Sequence, residues 1–232
     1  MDEIMQAPAD RPHFRFWPAR VPHGIPPAQT TLWDNLAITA RRYPDRDAYI
    51  FLGGRIPWAG VRDRAEALAG WLVEAAGVAP GDRVLLCMQN SPQYVIAFYA
   101  IMRARGVVVP VNPMTRADEL PHYIQDPEAR VAIVAADLLP EFERAQSLLP
   151  PDARLATVLV ARYLDHADPA RLAPDEQRPQ AWRPWLEADP ILPEWAVRWS
   201  DAVGAGHRPP PYAGEPDDLV ALCYTSGTTG SP

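Results

Sequence analysis

Lysine is absent from this sequence of 232 residues, in which all 22 basic residues are arginine. A Walker A loop carries a lysine directly after its last glycine, because that ammonium group contacts the β- and γ-phosphates of a nucleoside triphosphate. The composition therefore argues against a P-loop NTPase.

Cysteine is scarce as well. The two cysteines, Cys87 and Cys223, each lie in an apolar run that reads as a strand. No spacing of cysteine and histidine suggests zinc, and the five histidines are scattered and receive no role. The sequence predicts two buried, reduced thiols, since free cysteine behaves as a small apolar residue.

Long apolar runs and clustered positive charge are also missing. The longest apolar run, residues 94–102, has nine residues, whereas a membrane-spanning helix needs about 20. The first ten residues are polar and acidic, which predicts that there is no signal peptide and that the protein is cytoplasmic. The net charge of −7 and the scattered arginines argue against a nucleic-acid partner.

What the chain does contain is enough apolar sequence for a core, with 48% hydrophobic residues. Changes in composition divide it into four parts. We expect a proline-rich arm at 1–29, an α/β subdomain at 30–161, a connector rich in proline and tryptophan at 162–215, and a strand with the beginning of a loop at 216–232.

The subdomain alternates between strand and helix patterns. Apolar β-branched runs separated by helical periodicity are typical of a parallel, doubly wound α/β sheet. We predict a partial sheet of this kind, preceded by a helix, a β-hairpin with a glycine turn and a second helix. The predicted helices are 32–43, 59–76, 92–105 and 138–149; the predicted hairpin is 48–58; the predicted sheet strands are 83–89, 107–112, 131–135 and 156–161.

Capping residues mark where several of these helices begin. Thr31 and Ser91 precede helical patterns, and proline follows Ser91 at the first helical position. Thr115 and Asp118 resemble a capping box for a further helix, which Pro121 would shorten or kink.

The connector shows little periodicity, and we expect one or two short helices in it. Two interpretations of its tryptophans stay open: aromatic anchors that pack a long connector, or a surface that contacts lipid or acyl chains. The tryptophans concerned are Trp182, Trp185, Trp195 and Trp199.

The last residues carry the most specific chemical signal. An apolar run at 219–223 reads as a buried strand and leads into a loop of glycines and hydroxyl residues at 224–232. Such a loop offers bare backbone N–H groups and hydroxyl donors at close range, which suits the spread charge of a polyphosphate.

This loop closely resembles the signature of the AMP-forming acyl-adenylate synthetases, a family that includes acyl-CoA synthetases, luciferases and peptide-synthetase adenylation domains. Weaker landmarks of the same family occur in the family's order, and Asn112-Pro113-Met114 resembles the bacterial medium- and long-chain fatty-acid–CoA ligases most. The landmarks are TARRYPDRDA at 39–48, GVAPGDRV at 77–84, NSPQ at 90–93 and GVVVPVNP at 106–113.

The resemblance implies a fold, a reaction and a set of ligands. The fold is the N-terminal part of the family's large domain. In the reaction a carboxylic acid attacks ATP, with Mg²⁺, and the acyl group of the resulting adenylate passes to CoA. Contacts with the phosphates are assigned to backbone groups and hydroxyls of Thr225, Ser226, Gly227, Thr228, Thr229 and Gly230.

The resemblance also places the metal-binding acid and the catalytic lysine beyond Pro232, so no catalytic or metal-binding residue is assigned. We therefore expect an N-terminal fragment that is inactive without the remainder of its polypeptide. Two alternatives remain: a non-catalytic binding module of flavodoxin-like shape, and an adenylating ligase that loads a carrier protein.

Overall fold

The computed structural model describes residues 11–171 and 183–225. A 3₁₀ turn, Pro12–Phe16, is followed by exposed chain without regular secondary structure up to residue 30, which first turns back so that His23 stacks on Phe14. The helices are α1 (Leu32–Arg42), α2 (Trp58–Glu74), α3 (Pro92–Arg103), α4 (Leu120–Gln125), α5 (Leu139–Leu148), α6 (Arg183–Leu186) and α7 (Trp199–Gly204). The strands are β1 (Asp47–Phe51), β2 (Gly54–Pro57), β3 (Arg83–Cys87), β4 (Val107–Pro110), β5 (Val131–Ala135), β6 (Thr157–Ala161) and β7 (Ala196–Arg198).

Five of these strands form one parallel sheet in the order β4-β3-β5-β6-β7. The chain runs from β3 outwards to β4 and then crosses to the other side of β3 to form β5. The strand order therefore reverses between β3 and β5, at the place where doubly wound sheets bind their ligands. The predicted α/β fold with a parallel sheet is confirmed.

Helices cover both faces of the sheet. Alternate residues of β3 separate the two layers: Val84 and Leu86 pack towards α1, α2, α3 and α7, whereas Leu85 and Cys87 pack towards α4 and α5. Burial on both faces explains the continuous apolar sequence of the strands. Each fully buried leucine or valine stabilises the fold by roughly 1.5–3 kcal/mol.

Local sequence signals fix two helix starts as predicted. The Oγ1 of Thr31 accepts a hydrogen bond from the Asp34 backbone N–H at 3.1 Å, and the Asp34 carboxylate accepts one from the Thr31 N–H at 2.9 Å. Ser91 caps α3 by accepting from the Tyr94 N–H. The predicted hairpin is present as the antiparallel pair β1 and β2.

The prediction of a capping box at Thr115 and Asp118 was wrong. The helix α4 begins at Leu120, and Pro121 lies in its first turn rather than at a kink. Proline has no N–H, and only the first turn of a helix leaves that group without an internal partner. The proline therefore moves the start of the helix beyond Thr115, whose own N–H donates to Asn112 O in a turn.

The connector contains the two short helices α6 and α7, and it also supplies a strand that the sequence did not predict. β7 pairs in parallel with β6 and extends the sheet at its edge. Of the connector's tryptophans, Trp199 is buried in the core, and the ring of Trp185 meets Tyr163 edge-on at 5.2 Å. These two contacts favour the anchor interpretation; Trp182 lies outside the described residues.

Candidate nucleotide-binding edge

The run at 219–223 lies beside β4, at the edge of the sheet opposite to β7. Val108 donates its N–H to Val220 O at 2.8 Å, and Leu222 donates its N–H to Val108 O at 2.9 Å. These two bonds make one parallel bridge between Val108 and Ala221, which is shorter than the strand that the sequence predicted. They nevertheless fix the direction in which the chain leaves the sheet.

Side chains in this run alternate as in an extended strand. Ala221 packs towards the layer of α2 and α3, and Leu222 and Tyr224 pack towards the layer of α4 and α5. Cys223 is exposed, so the prediction of a buried thiol was wrong at this position, although it was right for Cys87. The apolar run passes along an edge rather than through the interior, which leaves Cys223 uncovered.

Tyr224 is held against α4. Its ring centroid lies 5.1 Å from that of Tyr123 and 5.6 Å from that of His122, and its hydroxyl donates to the carboxylate of Asp126. Burial and the Asp126 carboxylate raise the pKa of Tyr224 to about 12. The phenol therefore stays neutral and acts as a packing group.

Thr225 is the one residue of the predicted phosphate-binding set that lies within the described ranges, and it is exposed. Ser226, Gly227, Thr228, Thr229 and Gly230 lie outside the described residues. Because residues 220–222 run parallel to β4, Thr225 leaves the sheet at the carboxyl ends of the strands. Ligands of open parallel sheets bind at this edge.

Other loops at the same edge are joined by hydrogen bonds. The Gln89 N–H, just after β3, donates to the hydroxyl of Tyr163, just after β6, at 2.7 Å. The side-chain amide of Gln93 donates to Arg162 O at 2.6 Å. Burial raises the pKa of Tyr163, so its hydroxyl stays protonated. These hydrogen bonds therefore join the segment after β3 to the segment after β6 at this edge.

Sequence reasoning missed a half-buried acid at this edge, Asp137, which follows β5. Burial raises the pKa of its carboxyl group to about 6, and its Oδ1 finds no hydrogen-bond partner among the described residues. Burial, with a smaller contribution from Asp137, raises the pKa of Cys87 to about 12. An acid two residues beyond an apolar strand was the available signal, since that position is at a carboxyl end.

Within the described ranges, no group of three or more histidine, cysteine or acidic residues is placed to hold a metal ion, and no helix has the length and hydropathy to cross a membrane.

Comparison with known proteins decides the family. The sequence profile described as "AMP-binding enzyme" matches residues 36–232. The chain belongs to this family. A long-chain-fatty-acid–CoA ligase of Escherichia coli is 28% identical in an alignment 230 positions long, which covers 92% of this chain and 38% of the relative. An oxalate–CoA ligase of Arabidopsis thaliana is 33% identical over 87% of this chain and 34% of its own length.

Solved structures of AMP-binding enzymes share the fold. The anthranilate–CoA ligase AuaEII, in complex with anthranoyl-AMP, superposes with a TM-score of 0.69 at 22% identity, over 89% of this chain and 34% of that one. The chain thus spans little more than a third of the length of the proteins that it matches.

Proposed function

We propose that this chain is part of an ATP-dependent acid–CoA ligase. The full-length protein would join a carboxylic acid to AMP with release of pyrophosphate, and would then transfer the acyl group to the thiol of CoA. The family membership supports an AMP-forming reaction. One observation carries the proposal: Thr225 leaves a parallel sheet at the carboxyl ends of its strands, and a sequence rich in glycine and hydroxyl residues follows it.

The chemistry requires a loop of this kind at this place. A carboxylate and a triphosphate repel each other, so donors that are already in position must hold the phosphate oxygens. In the proposal, those donors are backbone N–H groups and side-chain hydroxyls. The N–H groups are those of Ser226, Gly227, Thr228 and Gly230, and the hydroxyls are those of Thr225, Ser226, Thr228 and Thr229. Mg²⁺ enters as part of the MgATP substrate, and the family resemblance places the acid that binds it beyond Pro232.

We further propose a fatty acid as the substrate. The support is the relative that is named a long-chain-fatty-acid–CoA ligase and that matches 92% of the chain. The second relative is named for oxalate, so the test must compare acids of different length and charge. ATP and CoA are intracellular metabolites, and the proposal includes a cytoplasmic location.

The test measures acid-dependent exchange between ATP and pyrophosphate by the full-length gene product, followed by mass spectrometry of the CoA thioester. We expect exchange with medium- and long-chain fatty acids, little with oxalate, and a thioester product. Thr225→Ala should raise the KM for ATP about tenfold, because a hydrogen bond to a charged group is lost. Thr30→Ala, on the exposed chain before α1, is the matched control. A folded protein without exchange would refute the proposal, and acyl transfer to a carrier protein alone would refute the CoA step.

The isolated chain of residues 1–232 should show no exchange above background. It contains no lysine that could assist adenylate formation, and it spans only 38% of the bacterial relative. Exchange by this polypeptide with any carboxylic acid would contradict the expectation.

A further inference from the structure

Residues 207–218, which run from the end of the connector into the segment that follows it, lie across α2 and α3 and are called the strap below. The Nδ1 of His207 lies 2.6 Å from the Glu74 carboxylate at the end of α2. One turn earlier on the same helix, a Cβ added to Gly70 would lie 2.6 Å from the backbone nitrogen of Arg208. A glycine at this position of α2 is what lets the strap approach so closely.

Arg103, the last residue of α3, joins the strap to three helices. Its side chain is only 7% exposed. Its Nε donates to the carboxylate of Glu66 on α2 at 3.0 Å, and its Nη2 donates to Pro210 O on the strap at 2.8 Å. The guanidinium carbon lies 5.5 Å from the ring centres of both Trp33 on α1 and Tyr212 on the strap. A buried cation is stable only with hydrogen-bond acceptors and aromatic rings around it, so these contacts fix the position of the Arg103 side chain.

A second attachment is made by Arg105, two residues after Arg103, to the last residue of the strap, Asp218. The Nε of Arg105 lies 3.4 Å from the carboxylate of Asp218, which also accepts the Glu215 N–H at 3.0 Å. The hydrogen bond from Glu215, together with Arg105, lowers the pKa of Asp218, so it stays ionised. Two residues beyond Asp218, the chain pairs with Val108 of β4 through Val220.

Arg103 therefore lies at a junction of two chain segments. The first segment follows Arg103 in the chain and enters β4. The second is the strap, which Arg103 binds through Pro210 and which leads to residues 220–222 beside β4. The place of Thr225 at the carboxyl edge depends on both. Neither arginine is close to that edge, because both precede the amino end of β4.

We propose that Arg103 is a positioning residue for nucleotide binding: by fixing the strap, it sets the place at which Thr225 leaves the sheet. Only the expected effect on ATP binding rests on the proposed function; the effect of Arg103 on the strap does not. Loss of Arg103 should loosen the strap and the paired residues 220–222 while the sheet stays folded. Glu66 would not be stranded by this loss, since 31% of its side chain is exposed.

Two variants test the proposal from opposite sides. Arg103→Met keeps an unbranched side chain that can fill the place of the arginine's apolar stem, but it removes the guanidinium group and its hydrogen bonds. Gly70→Ala raises the helix propensity of α2 but drives a methyl group into the strap backbone. The matched controls are Arg144→Gln on the exposed face of α5 and Gly204→Ala, where a Cβ would meet nothing within 4 Å. Arg103→Lys is the conservative variant.

The first readout is hydrogen exchange on the 232-residue chain, which does not require enzymatic activity. We expect faster exchange in residues 207–224, including the Leu222 amide, in Arg103→Met and Gly70→Ala but not in the controls. The amides of β5 should keep their protection in all variants. Unchanged exchange in the strap of a folded Arg103→Met variant would overturn the proposal, whatever the protein's activity.

The second readout is steady-state kinetics of the full-length gene product. We expect the KM for ATP to rise about tenfold in Arg103→Met and Gly70→Ala, with partial recovery in Arg103→Lys and no change in the KM for the acid. Loosened exchange with an unchanged KM for ATP would overturn the positioning role and leave the proposed function intact. A wild-type protein that does not consume ATP would refute the proposed function, and the positioning role with it.

Discussion

Every residue of β5 is buried, whereas all three residues of β7, the strand that the connector adds to the same sheet, are half-buried. β5 pairs with a strand on each side, whereas β7 pairs with β6 alone among the described strands. The central strands are therefore held by apolar burial on both faces. The strap, by contrast, is held by a few specific contacts, such as those of Arg103 and Gly70. The two regions should respond to mutation in different ways.

The largest effect is expected in the sheet. Leu86 of β3 is fully buried, and Leu86→Ala should lower the free energy of unfolding by about 3 kcal/mol through lost burial and the cavity that remains. Leu219 at the end of the connector is 59% exposed, and Leu219→Ala should change stability by less than about 0.5 kcal/mol. Urea denaturation followed by tryptophan fluorescence measures both. Equal losses would show that the connector is held like the core.

The same contrast explains what the sequence could predict. In the sheet region, each element has a local signal: the caps Thr31 and Ser91, the helical periodicity of α2 and the apolar strands. β7 has none, because three half-buried residues in a tryptophan-rich segment form a strand only when β6 provides a partner. The start of α4 was mistaken because a weak capping pattern at Thr115 was preferred to the stricter demand of Pro121.

Prediction of the candidate site divides in a similar way. The run before Thr225 could be recognised as extended from its composition, and its chemistry from the glycines and hydroxyls that follow. Its partner, β4, could not be read from sequence, since more than a hundred residues separate Val108 from Ala221. The exposure of Cys223 and the burial of Asp137 depend on such long-range neighbours. Local periodicity carries no information about them.

Close backbone contacts in the connector give the second prediction. A Cβ added to Gly54 in the hairpin would lie 2.0 Å from His166 O, in the segment that follows β6. Gly54→Ala should therefore destabilise the protein by about 2 kcal/mol, because neither backbone can move without breaking other contacts. Gly24→Ala is the control, since its Cβ would meet nothing within 4 Å. A stable Gly54→Ala variant would show that the backbone around His166 can shift at little cost in free energy, unlike the backbone of the sheet.

A smaller, pH-dependent effect is expected where the sheet meets the connector. Burial raises the pKa of Asp137 from 3.8 to about 6, so the folded state binds this proton more tightly than the unfolded state. The resulting stabilisation is complete below pH 3.8 and is lost as the pH rises through 6. Asp137→Asn should therefore be more stable than the wild type at pH 8, by on the order of 1 kcal/mol, and about equally stable at pH 4.

The measurement is the difference in urea midpoint between variant and wild type at pH 4, 6 and 8. Cys87 and Tyr163 are the titratable groups that interact with Asp137, and because their pKa values are raised they stay neutral over this range. Asp152→Asn, at an exposed position, is the matched control. A difference that does not vary with pH would mean that the Asp137 carboxylate is well solvated.

Labelling of the two cysteines compares the sheet with the edge beside β4, and substitution of the exposed cysteine should hardly change stability. Cys87 lies in the sheet, 2% exposed, with its pKa raised to about 12 by burial, whereas Cys223 is exposed beside the loop. A thiol reacts as its thiolate, so a maleimide at pH 7 should add one label to the native chain and a second only in denaturant. Cys223→Ser should abolish the native label and change stability by less than about 0.5 kcal/mol. Two labels on the native chain would show that the end of β3 opens to solvent. No label would mean that the edge beside β4 is covered, as the apolar sequence alone had suggested.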